Sequence, residues 1–387
     1  MPAGPSGSGV GMPEFTSGHL RGLTVAVTGA SGNLGTALLR RLTAPGTGAA
    51  EVRGLARRQP PDVAPYSGVR WHLTDLGGPR SEATLAEFMD GVDAVVHLAW
   101  ALQPGRQPED LRRVNVEGTR RVMRAAGVAG VSHVVHMSSI GAYAAGVNQF
   151  VHMSSIGAYA GGAVGQRVTE DWPTTGIPTA QYSRDKSEAE RVVREVAGRH
   201  PDMTLTVVRP TLVLQPDAGS EIGRYFLGPL VYGAARLLPG PVARLLPLPL
   251  PRVAVSFVHA DDVADAVVRM LDRRVPGPFN LAAEPLMDAD ALARALGTVR
   301  VPVPVLAVRT AVQAAFTARL VPTEPGWVDI GTRVPALNTT RARRLLDWAP
   351  VHRGDEVLRD FVAALGRGEG APGPLLRPAG SAAVSVS

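Results

Sequence analysis

The stretch Thr28-Gly29-Ala30-Ser31-Gly32-Asn33-Leu34-Gly35 constrains this chain more than any other. It directly follows a short β-run, Leu23 to Thr28, and it opens a segment with helical spacing, Leu34 to Leu42. Glycines at this spacing let the backbone turn tightly and approach a pyrophosphate. The helix that follows offers free N–H groups and the positive end of its dipole. Gly29, Ser31, Gly32, Asn33, Leu34 and Gly35 are therefore expected to hold a dinucleotide; the alternative is an ordinary strand-to-helix turn.

The same alternation continues. Glu51 to Ala56, Val69 to Leu73 and Ala94 to Ala99 read as strands, with a helix over Ser81 to Asp90. Glu109 to Ala126 reads as a helix, Val131 to Ser139 as a strand, Ala180 to Ala197 as a helix, and Met203 to Leu214 as a long strand. Strands alternating with helices predict a parallel sheet covered on both faces. The expected fold is α/β: a Rossmann-type doubly wound sheet with a smaller, mostly helical substrate lobe. Residues 1–20 and 368–387, rich in Gly, Pro, Ser and Ala, read as a flexible leader and tail. Residues 21–210 with 253–282 are assigned to the dinucleotide domain, and 211–252 with 283–367 to the lobe.

Composition removes several classes. Of 387 residues, 45 % are hydrophobic and 19 % charged, which excludes global disorder. There is no cysteine, hence no disulfide, thiolate metal site or cysteine nucleophile. No apolar run reaches the roughly 18 to 20 residues of a membrane span, and the N-terminus lacks a signal-peptide pattern. No membrane partner, no metal and a cytoplasmic location are the expectations. The net charge is +6, but the arginines are scattered and alternate with acids, so no nucleic-acid partner is expected. A small-molecule substrate is expected; the oligomeric state is not determined, with a homodimer among the options.

Lys186 is the only lysine among 40 basic residues. It ends the run Tyr182-Ser183-Arg184-Asp185-Lys186, and positions i and i+4 share a helix face. A cation beside a phenol favours the phenolate. Lysine is a compact donor that can also reach a ribose hydroxyl. Tyr182 and Lys186 are thus the candidate catalytic pair, with a lysine-lowered phenol as the expectation. Ser138-Ser139 closes the strand before that helix, and Ser139 is the candidate hydroxyl for orienting a carbonyl. Asn115 could tie a water chain to Lys186 or simply pack its helix. Arg57 and Arg58 end the second strand, where an acid would meet a free ribose 2′-OH and arginine a 2′-phosphate. NADP is therefore favoured over NAD. Asp75 could accept from an adenine amino group or cap a turn.

One decapeptide, VHMSSIGAYA, occurs twice, at 135–144 and 151–160. Only one copy can occupy a given strand. Loop closure favours the first copy by about 1 kcal/mol. Its flank, Val131-Ser132-His133-Val134, is also richer in β-branched residues than Val147-Asn148-Gln149-Phe150. The first copy, with Ser139, is the expected strand.

Together TGASGNLG, the TDL of Thr74–Leu76, the HLA of His97–Ala99, NVEGT at 115–119, SSIGAY, YSRDK, the RP of Arg209–Pro210 and FVHADDVA at 257–264 resemble the extended short-chain dehydrogenase/reductases, the NAD-dependent epimerase/dehydratase group. The resemblance implies a Rossmann domain, a nicotinamide cofactor and a Ser–Tyr–Lys site. It places Leu76, Leu98, Ala99 and Pro210 along the cofactor beside Lys186. Leu212 stands where many sugar-nucleotide epimerases of the group carry Asn, and Trp100 follows HLA where small residues are usual. With the apolar stretch containing Phe226, Leu227, Leu230 and Tyr232, these favour an oxidoreductase acting on a carbonyl or alcohol of a lipophilic substrate. An NAD-dependent sugar-nucleotide epimerase or dehydratase is the first alternative. A non-catalytic dinucleotide-binding sensor or scaffold is the second.

Overall fold

The computed structural model describes residues 20–102, 107–129, 149–226 and 247–378. The chain runs β1 (Thr24–Thr28), α1 (Asn33–Leu42), β2 (Glu51–Ala56), β3 (Arg70–Leu73), α2 (Ser81–Met89), β4 (Ala94–His97), α3 (Pro108–Arg112) and α4 (Gly118–Val128), with a π-helical turn at Arg113–Glu117 between the last two. It continues with β5 (Gln149–Met153), α5 (Gln181–Ala197), β6 (Thr204–Pro210), α6 (Ala260–Arg273) and β7 (Gly277–Leu281).

These strands form one parallel sheet in the order β7–β6–β5–β4–β1–β2–β3. The chain winds outward from β1 to β3, then returns to β4 and winds the other way. The order reverses between β1 and β4, where an open α/β sheet leaves a crevice for a ligand. Successive β1 side chains serve opposite cores. Val25 and Val27 join α1 and α6 on one face, whereas Ala26 joins α2, α4 and α5 on the other. Strands buried on both faces carry the near-continuous apolar runs seen in the sequence.

The structure corrects the choice of repeat. β5 is Gln149–Met153, so the second copy supplies the central strand, and Ser139 lies outside the described residues. Phe150, two per cent exposed, fills the core between Val95 and Val193, and Gln149 donates to the Met270 carbonyl at 2.6 Å. The first copy offers His133 and Val134 at the matching places. Phenylalanine buries more apolar surface than the valine of the first copy, and at about 25 cal/mol per Å² that gain works against the loop-closure difference of about 1 kcal/mol.

The rest of the chain adds α7 (Ala289–Ala295), α8 (Val305–Thr317), α9 (Gly326–Arg333), α10 (Thr340–Leu346) and α11 (Gly354–Arg367). Short ladders stitch this part together. Leu212–Leu214 pairs with Phe257–His259, Leu248–Leu250 with Arg300–Pro302, and Arg167–Val168 with Ala336–Leu337. The Gly- and Pro-rich composition after 368 predicts a flexible tail, but residues 369–378 pack against the body with Leu376 fully buried. Residues 1–19 of the expected leader and residues 379–387 of the expected tail lie outside the described residues, as do Leu227, Leu230 and Tyr232. Among the described residues no helix is long and apolar enough to cross a membrane.

Candidate active site

The glycine loop sits at the reversal of strand order. Gly29 has φ +68°, and a Cβ there would lie 2.7 Å from the Ala99 nitrogen, so the β1 and β4 loops meet only because residue 29 is glycine. A Cβ on Gly35 would strike the Gly29 carbonyl, which brings α1 close under the turn. Gly32 is the N-cap of α1 and caps it with no side chain, leaving that end open to an anion. Asn33 is tied down instead. Its amide donates to the Val213 carbonyl at 3.2 Å, and its Oδ1 accepts from Gln215 at 2.7 Å. Ser31 is buried, and Leu34 packs against the core.

Arg57 and Arg58 are exposed beyond the end of β2. Leu76 is buried, Leu98 and Ala99 line the end of β4, and Pro210 ends β6 beside Leu281. Exposed Asp75 accepts from the Gly77 N–H at 2.9 Å, so its carboxylate closes a turn in this state. The uncapped helix end and the glycines suit a dinucleotide.

The catalytic candidates meet at the carboxyl end of β5. Ser155 caps a short 3₁₀ turn, accepting from the Gly157 N–H at 3.0 Å, with its hydroxyl on the side of the Tyr182 phenol, where it favours the phenolate. Gly157 lets the phenol in: a Cβ there would lie 2.7 Å from Tyr182 Cε1. Lys186 Nζ donates to the Met153 carbonyl at 3.0 Å and lies 3.6 Å from the centre of the Trp100 ring. Its distance to the Tyr182 ring is 5.9 Å.

Burial pushes the Tyr182 phenol up to about 12, with the Ser155 hydrogen bond opposing. Burial also pulls Lys186 down to about 7, against the pull of Glu190 and Asp185. Without a cofactor, desolvation dominates both groups, and the Lys186 ammonium faces Trp100 and the Met153 carbonyl. Asn115 lies on the same side of the site, where a water chain to Lys186 is one expectation and helix packing the other. Its amide clamps the Ala101 backbone, accepting at 2.7 Å and donating at 2.9 Å, from the π-helical turn that aims it inward.

Several residues that hold the site were not singled out from sequence. Glu190 is fully buried and pairs bidentately with Arg209, at 2.8 and 2.9 Å. It also accepts from Ser154 at 2.5 Å, while Arg209 donates to the Tyr159 hydroxyl at 2.9 Å and Tyr159 to Asn280 at 2.7 Å. This network anchors Ser154 and, through Tyr159, the loop after it. Glu190 lies four residues after Lys186, so the inward helix face was the available signal. Trp327 of α9 lies 4.8 Å from the Tyr182 ring, Phe226 lies 4.9 Å from Trp327, and Trp100 lies 6.1 Å from Tyr182. No local pattern in the sequence marks Trp327.

Comparisons with known proteins agree with this geometry. The profile of the NAD dependent epimerase/dehydratase family matches residues 25–282. Sterol demethylase protein B of Methylococcus capsulatus is 31 % identical over 261 residues, 66 % of this chain and 68 % of that protein. A 4-hydroxy-2-methyl-3-oxo-4-farnesyl-3,4-dihydroquinoline-1-oxide ketoreductase of Stigmatella aurantiaca is 31 % identical over 191 residues, 49 % of this chain and only 50 % of its own length. The solved structure of MoeE5 in complex with UDP-glucuronic acid and NAD superposes with a TM-score of 0.59 at 20 % identity, covering 88 % of this chain and 99 % of that one. The chain belongs to the NAD-dependent epimerase/dehydratase family and is an enzyme of the short-chain dehydrogenase/reductase type.

Proposed function

We propose that this enzyme is an NADP(H)-dependent oxidoreductase that reduces a carbonyl, or oxidises the matching alcohol, on a lipophilic substrate. The observation that carries the reading is the aromatic enclosure of the reacting phenol by Trp100 and Trp327, with Phe226 against Trp327. Flat aromatic faces offer an apolar ring a large contact area. Two of the relatives, sterol demethylase protein B and the farnesyl-quinoline-oxide ketoreductase, are named for lipophilic substrates. Arg57 and Arg58, with no acid beside them at the end of β2, support NADP over NAD.

The chain's own residues divide the work. Gly29 to Gly35 would hold the pyrophosphate and Lys186 the nicotinamide ribose. The bound nicotinamide supplies or accepts the hydride. Ser155 orients the substrate oxygen. Tyr182, whose phenol keeps its proton at neutral pH, donates it to that oxygen in the reducing direction and takes it back in the oxidising one. Lys186, with its cation only partly retained near neutrality, is poised to replace the proton that Tyr182 gives up.

The test is absorbance at the reduced-nicotinamide band, with NADPH and a panel of sterol-like and prenylated ketones beside UDP-sugars. Net consumption of NADPH on the lipophilic ketones is expected. UDP-sugar conversion without net cofactor change would replace this reading with the epimerase one, and tight cofactor binding with no turnover would favour a sensor.

A further inference from the structure

Residues 369–378 turn back on themselves, closed by the Ala371 N–H donating to the Leu376 carbonyl at 2.7 Å. One side of this loop is pinned to the helical stretch 218–224. Leu376 is fully buried beside Ala218, and Arg224 donates to the carbonyls of Leu375 at 3.0 Å and Arg377 at 3.2 Å. The Ser220 N–H donates to the Glu369 carbonyl at 3.1 Å.

The other side lies on the glycine loop. Leu375 Cδ1 is 4.0 Å from where a side chain on Gly32 would begin. A Cβ on Gly373 would lie 3.5 Å from the Ser31 carbonyl and would collide with the Tyr66 hydroxyl, so the backbone passes here only as glycine. Arg58 Nη2 donates to the Pro374 carbonyl at 3.2 Å. In the proposed function Ser31 and Gly32 belong to the loop that would hold the pyrophosphate, and Arg58 to the end that would meet the ribose 2′-phosphate.

We propose that residues 369–378 form a clasp over the adenosine end of the cofactor site, and that the Pro374 carbonyl positions Arg58 for the ribose 2′-phosphate. The ligand named here rests on the NADP(H) reading; the docking of the clasp does not. An exposed arginine loses rotamer freedom when it binds a phosphate. A carbonyl on one Nη removes part of that freedom beforehand and leaves the other donors of the guanidinium free for a bidentate phosphate contact. The clasp also covers one side of the site, which strengthens the charge interaction by excluding water. Pro374 and Arg224 are positioning residues on this reading, and Arg58 is the group that touches cofactor.

The probes are 2′,5′-ADP and 5′-ADP, titrated calorimetrically into the full-length protein, Arg224→Ala and Leu376→Asp. Undocking the clasp with Leu376→Asp is expected to raise the Kd for 2′,5′-ADP about tenfold, and Arg224→Ala about threefold. Amide hydrogen exchange over residues 31–35 is expected to quicken in both variants, a readout independent of any cofactor. Unchanged 2′,5′-ADP binding would overturn the proposal, and tighter binding would overturn it in favour of a segment that blocks the site. If Leu376→Asp does not fold, Arg224→Ala alone decides. If the wild-type protein prefers 5′-ADP, the NADP(H) reading has failed, and the clasp is then judged on 5′-ADP, whose ribose occupies the same end.

Discussion

The two ends of the cleft are built by different means. The dinucleotide end is mostly backbone: a glycine turn, an uncapped helix start and a close approach of two loops, almost all within residues 28–35. The catalytic end is made of side chains from distant segments: Trp100, Ser155, Tyr182 with Lys186, and Trp327. A buried ion pair between Glu190 and Arg209 holds that second end in register. Contiguous backbone binds a shape common to many cofactors, whereas side chains gathered from afar can be tuned to one substrate.

The sharpest way to separate the two ends is Tyr182→Phe. Removing the proposed proton donor should lower turnover about 10³-fold, while cofactor affinity, measured by fluorescence titration, stays within about twofold. A parallel loss of cofactor affinity would mean that the ends are not independent.

Next in size is Glu190→Gln, which leaves Arg209 buried without its countercharge. Breaking such a pair costs about 3 kcal/mol, read as a lower denaturation midpoint. Because the same carboxylate holds Ser154, kcat should fall more than cofactor affinity.

The repeat supplies a third comparison. Ser155→Ala should reduce kcat by about 10²-fold, and Ser139→Ala should stay within about twofold. The reverse pattern would assign the working hydroxyl to the first copy.

The last comparison is in pH dependence. Lys186 titrates at about 7 when folded, against 10.5 as its ordinary value, because burial disfavours its charge. Between those values the unfolded chain holds a proton that the folded chain lacks, so this group makes stability rise with pH across that window. Lys186→Met should remove that rise, giving a flatter plot of denaturation midpoint against pH from about 7 to about 10.

Much of the first end was legible before any coordinates. Glycine spacing after a strand, the alternation of strand and helix, and the bounds of β2 all follow from local pattern, because one residue's conformational limits are felt by its neighbours. The second end was legible only where it is local. Tyr182 and Lys186 were visible because helix geometry places positions four apart on one face. Trp327 and Glu190 were not, since their partners lie far away in sequence. The tail was misjudged for a related reason: Gly and Pro favour loops, but a loop can still bury Leu376 when a surface is waiting for it.

The repeated decapeptide marks the boundary between these two kinds of knowledge. The sequence by itself determined the sheet class, the glycine turn, the Tyr–Lys face and the need for a serine-bearing strand between them. Two identical segments have identical propensities, so nothing inside VHMSSIGAYA could say which copy that strand would be. The tertiary structure decided it, because only the assembled core offers a place for Phe150 between Val95 and Val193 and a carbonyl for Gln149 to meet. Burial of a side chain is a property of the surfaces around it, and those surfaces exist only once the distant parts of the chain have come together.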